Sequence, residues 1–181
     1  TQRADDFSTF TLRLIDEMPL LQHLKPHDSQ RNSKIAFDVG PAPAAHAPSV
    51  TSKGLTSQIT GSRADLIIAD DAESLTNSAT QMMRDKMSEQ VKEFDAVLKP
   101  GGSILYLGTP QTEASIYNQL PERGYAIRIW PARVPTEKQR LGYGQRLAPM
   151  IAQLDLLEGD PVDPKRFNTY DLLEREASYG K

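Results

Sequence analysis

Two short runs in this chain have the residue types and spacing to do chemistry. Asp70-Asp71-Ala72-Glu73 sets three carboxyls within four positions, and Gly108-Thr109-Pro110-Gln111 offers a hydroxyl and a carboxamide. Carboxylates crowded at one place repel one another in a low dielectric, so they persist most easily where a divalent cation or a proton offsets their charge. Mg²⁺ is the natural cation for such a set. It prefers hard oxygens, takes one or two carboxylates and completes its octahedron with water and phosphate oxygens. Thiolate chemistry is excluded because the chain has no cysteine, and its three histidines, His23, His27 and His46, are too scattered for a metal cluster.

Both runs fall at the ends of predicted strands. Leu66-Ile67-Ile68-Ala69 is an unbroken apolar run bounded by charge, which predicts a strand covered on both faces, as in a parallel sheet. Ser103 to Leu107 is the next strand. Between them Met83, Met87, Val91, Phe94 and Leu98 recur at helical spacing and mark one face of a helix over 78–99, stopped by Lys99-Pro100-Gly101-Gly102. The Met82, Met83 and Met87 group reads as core filling. Thr112 is placed to cap a short helix through Ile116, Tyr117 and Leu120. Ala126 to Trp130 alternates and predicts a third strand, closed by Pro131. Strand, helix, strand, helix, strand with right-handed crossovers gives an α/β fold, a parallel sheet flanked by helices. Ligands of such sheets bind beyond the carboxyl ends of the strands, where both runs lie.

The flanking segments read more simply. Phe7, Phe10, Leu14 and Leu21 suggest a short amphipathic helix that Pro19 ends or kinks. Ile35 to Val39 is a compact strand, 40–48 a proline-rich loop, and 49–60 short exposed strands. After Pro135 the pattern is helical and polar through Leu141, Leu147, Ile151 and Leu154, then a linker at 159–164 and a last helix over 170–179.

With 181 residues, 38% apolar content and a formal net charge of −3, the chain has the composition of a globular protein rather than a disordered one. Mild acidity argues against holding nucleic acid by bulk positive charge. No run approaches the roughly 18 apolar residues of a membrane span, and the N-terminus lacks a signal-peptide layout, so the expectation is a soluble intracellular protein with no membrane partner. The chain opens at Thr1 and closes straight after a helical pattern, which reads as a piece of a longer polypeptide.

An apolar strand ending in two acids is the layout of a Walker B element in phosphate-loop ATPases, where the first acid holds the magnesium shell and a neighbour polarises the attacking water. Thr109 and Gln111 at the next strand tip could hydrogen-bond that water or a γ-phosphate. The segments Gly61-Ser62-Arg63-Ala64-Asp65-Leu66-Ile67-Ile68-Ala69-Asp70-Asp71-Ala72-Glu73, Tyr106-Leu107-Gly108-Thr109-Pro110-Gln111-Thr112-Glu113 and Ile129-Trp130-Pro131-Ala132 resemble, in that order, the ATPase segment of the large terminase subunits of short-tailed bacteriophages. The likeness extends through Phe37-Asp38-Val39-Gly40-Pro41 upstream and Gln145-Arg146-Leu147-Ala148-Pro149-Met150 downstream to Tyr179-Gly180-Lys181.

The resemblance implies a partial phosphate-loop (ASCE-type) ATPase core plus a small helical linker region. Residues 1–135 would carry the C-terminal part of the core and 136–181 the linker toward a nuclease domain. It implies a packaging motor in the cytoplasm of an infected bacterial host, in which ATP and Mg²⁺ drive double-stranded DNA into a prohead. Its partners would be the portal protein, the small terminase subunit and further copies in a homo-oligomeric ring. By similarity Asp70 orders the metal, Asp71 or Glu73 is the catalytic base, and Thr109 and Gln111 form the coupling motif. Many relatives carry an arginine finger just before the glycine at position 61, where this chain has Thr60. Arg63 either substitutes for it or pairs with Asp65 or the acidic run. No Gly-x-x-x-x-Gly-Lys-[Ser/Thr] loop occurs in the sequence, so the resemblance implies a phosphate cradle before Thr1.

Two other readings compete. Val97-Leu98-Lys99-Pro100-Gly101-Gly102-Ser103-Ile104-Leu105 is the helix-to-strand passage of many S-adenosylmethionine-dependent methyltransferases, although Asp38-Val39-Gly40-Pro41-Ala42 lacks the further glycines their cofactor turn requires. An isolated interaction module is the third, with Arg133, Lys138, Arg140 and Arg146 as a basic stretch for DNA phosphates or a neighbouring subunit, against a plain solvated helix face.

Overall fold

The computed structural model describes residues 2–55, 57, 59–74, 76–110 and 112–180. These fall into two compact units, Thr1–Gln119 and Leu120–Lys181.

The first unit opens with helix α1 (Gln2–Glu17), followed by a 3-10 turn over Pro19–Leu24. Pro19 starts this turn, where its missing N–H has no partner to lose. Three two-residue strands, β1 (Asn32–Ser33), β2 (Ala36–Phe37) and β3 (Val50–Thr51), form an antiparallel sheet in that order, with Phe37 fully buried. The proline-rich loop beside it has no ladder to satisfy its carbonyls, so side chains do so. Arg31 donates to the carbonyls of Ala45, His46 and Ala47 at 2.7–3.0 Å and clasps the Asp38 carboxylate at 2.9 and 3.1 Å. The guanidinium beside Asp38 holds its carboxyl below the ordinary carboxylate range.

The centre of the unit is a parallel pair, β4 (Ala64–Asp70) and β5 (Leu98–Leu107), joined through helix α2 (Gln81–Val97). Thr80 caps α2 by accepting the Met83 N–H. The helix buries Met87, Val91, Phe94 and Val97, and Phe94 stacks on Tyr106 of β5 with ring centroids 6.1 Å apart. The buried face starts at Met87, so Met82 and Met83 are exposed instead of filling core. Lys99-Pro100-Gly101-Gly102 does stop the helix, yet it belongs to β5. Its residues are absorbed as an irregularity between the pairs Ala64–Leu98 and Leu66–Ser103, where Gly101 takes φ +79° and a Cβ on Gly102 would press the Asp65 carbonyl at 2.8 Å.

The expectation that the sheet is covered on both faces is corrected. Ile67, Ala69, Ile104 and Tyr106 share the face on which Phe94 packs. Leu66, Ile68, Leu105 and Leu107 share the other, and remain 56%, 42%, 46% and 44% exposed. A continuous apolar run reports that both sides of a strand are suited to burial; it does not supply the second layer.

In the second unit the predicted third strand is absent. Exposure alternates along residues 125–130, but they make a single parallel bridge, Ile129 to Leu147. The Ile129 N–H donates to Arg146 O at 2.7 Å, and its carbonyl accepts the Ala148 N–H at 3.0 Å. Pro131 has no N–H with which to prolong the ladder. Helices α4 (Glu137–Tyr143), α5 (Pro149–Ala152) and α6 (Thr169–Ser178) follow. Capping boxes from Thr136 with Gln139 and from Asn168 with Asp171 begin α4 and α6. The buried apolar residues of this unit include Leu120, Val134, Ala148, Ile151 and Leu172.

Candidate functional site

Parallel pairing fixes where the two chemical runs meet. Asp70 lies opposite Leu107 in register, so the acids that end β4 and the Gly108-Thr109-Pro110 tip of β5 leave the same carboxyl edge of the sheet. One further hydrogen bond extends the pairing past Asp70, from the Asp71 N–H to the Leu107 carbonyl at 2.9 Å. Asp71 then takes φ +46°, the left-handed region that Asp tolerates better than most side chains. The chain turns there, and the three acids part company.

Asp70 and Asp71 face solvent, whereas Glu73 is 3% exposed. The Asp71 carboxylate is paired with the guanidinium of Arg3, from the first turn of α1. Glu73 turns inward: its Oε2 accepts from Ser115 Oγ at 2.5 Å and from the Ile116 N–H at 3.0 Å. Among the described residues no group of three or more Asp, Glu, His or Cys side chains converges as a metal-binding cluster. The exposed Asp70 carboxylate and the Thr109 hydroxyl on the neighbouring strand tip also lie at this edge. Such hard oxygens fit Mg²⁺, which needs one or two carboxylates and takes its other ligands from water and phosphate.

The tip of β5 is shaped by Tyr117. Helix α3 (Ile116–Gln119) is preceded by Ser115, whose Oγ accepts the Tyr117 N–H at 3.3 Å, so the side chain that caps this helix is Ser115 in place of the expected Thr112. From α3 the Tyr117 hydroxyl donates to the Leu107 carbonyl at 3.2 Å and accepts the Glu73 N–H at 3.5 Å. Burial pushes the phenol above its ordinary range, the Asp71 and Glu73 charges add to the shift, and the Glu73 N–H offsets part of it. The hydroxyl therefore keeps its proton at neutral pH.

The other expected residues separate. Gln111 lies outside the described residues. Arg63 is exposed and donates to the Ser62 carbonyl at 2.8 Å, while the Asp65 carboxylate is held by Lys99 at 2.8 Å. Arg3, Ser115 and Tyr117 were missed by sequence reasoning, since each reaches the acidic run from a distant segment. In the basic stretch, Arg133 is committed to Glu176 at 2.6 and 3.0 Å. Arg140 donates to Pro135 O, and Arg146 to the carbonyls of Gly142 and Tyr143. No helix among the described residues is long and apolar enough to cross a membrane.

No family model matches the chain. Among curated proteins it is similar to the large terminase subunit of Enterobacteria phage T3, 51% identical over 189 aligned residues that take in 99% of this chain and 32% of the relative. The chain thus spans about a third of the length of the curated relative it matches. The likeness read from the acidic strand end, the Gly-Thr-Pro tip and the Trp130 segment therefore holds across nearly the whole sequence, which is a close match to one stretch of a phage large terminase subunit.

Proposed function

We propose that this chain carries the Walker B and coupling segments of a phage DNA-packaging motor, in which ATP hydrolysis drives double-stranded DNA into a prohead. The supporting observation is the register of Asp70 against Leu107, which sets Asp70 beside the Thr109 tip in a chain of which 99% aligns with part of a large terminase subunit.

In this reading Asp70 holds Mg²⁺, which when bound supplies positive charge against the nucleotide phosphates. Asp71 is favoured over Glu73 as the base that orients water, because a base must come within hydrogen-bond reach of its water. Asp71 is at the surface, where its ion-pair partner Arg3 is itself exposed; Glu73 is buried and engaged with Ser115 and Ile116. Thr109 and Gln111 read the state of the nucleotide, and Arg63, exposed at the start of the strand, is the candidate finger toward a neighbouring copy. Double-stranded DNA, a portal protein, a small terminase subunit and a ring of identical copies are the partners, in the cytoplasm of the infected host. The phosphate cradle and the DNA-cutting site belong to other parts of the packaging protein. Residues 1–135 serve the ATPase core and 136–181 the link to the nuclease; that functional division falls inside the second compact unit.

The test is Asp70→Ala in the complete packaging protein that carries this segment. Mg²⁺-dependent ATP hydrolysis should fall by about two orders of magnitude or more, the scale on which removal of a charge-stabilising group acts. Turnover equal to the unsubstituted protein would remove Asp70 from the metal role. Gln111→Ala should leave nucleotide affinity within about twofold while DNA packaged per ATP drops; unchanged packaging by that variant removes Gln111 from coupling.

A further inference from the structure

Glu73 is the member of the acidic run that the proposed chemistry leaves without a task, and it is also the one that the fold buries. Desolvating a carboxylate is costly unless hydrogen bonds hold it. Oε2 accepts two, from Ser115 Oγ and the Ile116 N–H, while Oε1 has no partner among the described residues. Both donors sit at the start of α3, beyond the Gly108-Thr109-Pro110 tip.

Tyr117 closes the same circuit from the other side. Its hydroxyl lies between the Glu73 N–H and the Leu107 carbonyl, and that carbonyl also receives the Asp71 N–H. The tip of β5 and the start of α3 are thereby each anchored to the acidic turn. At the tip the anchor is the Leu107 carbonyl, and at the start of α3 it is the Glu73 carboxylate. Asp71, in its left-handed conformation, lies between the two, and backbone held in a sparsely populated region persists only where its surroundings over-determine it.

We propose that Glu73 is a positioning residue whose carboxylate clasps the Asp70–Asp71 turn to the start of α3, so that a displacement of α3 is transmitted to the acids. This rests on the reading of Asp70 and Asp71 as the nucleotide-facing pair. Glu73 acts through that turn and does not touch the reacting water.

Clasp and base are separated by the carboxamide. The single oxygen of Gln can accept from both Ser115 and Ile116, but an amide cannot take a proton from water. In the complete packaging protein Glu73→Gln should keep ATP turnover within about threefold, whereas Glu73→Ala should lower kcat at least about tenfold with KM for ATP within about twofold. Ser115→Ala, which removes one donor, should lower kcat by about two- to fivefold. Hydrogen exchange at 70–74 and at 115–118 should rise together in Glu73→Ala and, more weakly, in Ser115→Ala. A hundredfold loss in a folded Glu73→Gln protein makes Glu73 the base and overturns the clasp. Normal turnover in Glu73→Ala also overturns it, as does exchange at 70–74 that ignores Ser115→Ala, a variant that serves if Glu73→Ala does not fold. An active Asp70→Ala protein rejects the nucleotide reading, and the exchange pattern then decides the clasp on its own.

Discussion

Gly108 carries no side chain because the Tyr117 phenol occupies the volume that a Cβ would take. A methyl group built on its backbone overlaps the Tyr117 Oη and Cζ atoms, so Gly108→Ala has to expel the ring whose hydroxyl holds the Leu107 carbonyl. Overpacking of this kind costs about 1–3 kcal/mol, and loss of the hydroxyl alone in Tyr117→Phe about 1 kcal/mol. With the ring removed its three closest contacts are gone, so Gly108→Ala should cost far less in a Tyr117→Ala background than in the natural chain, read by urea unfolding. Strictly additive losses would place the ring elsewhere. This contact also marks what spacing conveys. The acids and the Gly108-Thr109 tip are legible because their neighbours in sequence are their neighbours in the sheet. The partners that sort them are not: Arg3 lies 68 positions from Asp71, Ser115 lies 42 from Glu73 and Tyr117 lies 44 from it. Three carboxyls in four residues look equivalent until the fold turns one inward.

β4, α2 and β5 were readable because each is specified by its own periodicity and stopped by its own residues. The third strand failed for a different reason: alternation over 126–130 specifies an extended chain but not its partner, and the partner is the 146–148 segment. The proline-rich loop shows a third case, in which irregular backbone is ordered by one distant guanidinium. Arg31 reaches three loop carbonyls and is itself aligned by Asp38, whose carboxyl it holds below the ordinary range. A carboxyl with a lowered folded-state pKa contributes stability in full above its unfolded value, about 3.9, and loses it as pH falls through the folded value. Hydrogen exchange within 41–49 should therefore remain slow from neutral pH down to about 4, then accelerate beyond the intrinsic trend. Asp38→Asn should show the accelerated exchange already at neutral pH and lose the acid dependence. A loop equally protected in both proteins would mean that the ion pair does not order it.

A two-stranded sheet alone is marginal in water, and here one helix stabilises it from one side only. The opposite side presents Leu66, Ile68, Leu105 and Leu107 in register, with Ile68 directly across from Leu105. Among the described residues neither strand has a second partner, so each has an unpaired edge. An apolar patch bounded by open strand edges is the surface that soluble monomers avoid. The chain's net charge of −3 gives only weak repulsion against association through it. The chain 1–181 taken alone should accordingly bind a hydrophobic dye and self-associate as its concentration rises. Leu66→Lys with Leu105→Lys should remove most of both effects while far-ultraviolet circular dichroism stays unchanged, because neither side chain packs on α2. A loosely packed state would also bind dye, but its signal would come from the whole apolar content and would survive two surface substitutions. Dye binding that persists in the double variant would therefore trace the exposed surface to a loosened core, and an absence of dye binding in the natural chain would mean that this face is covered.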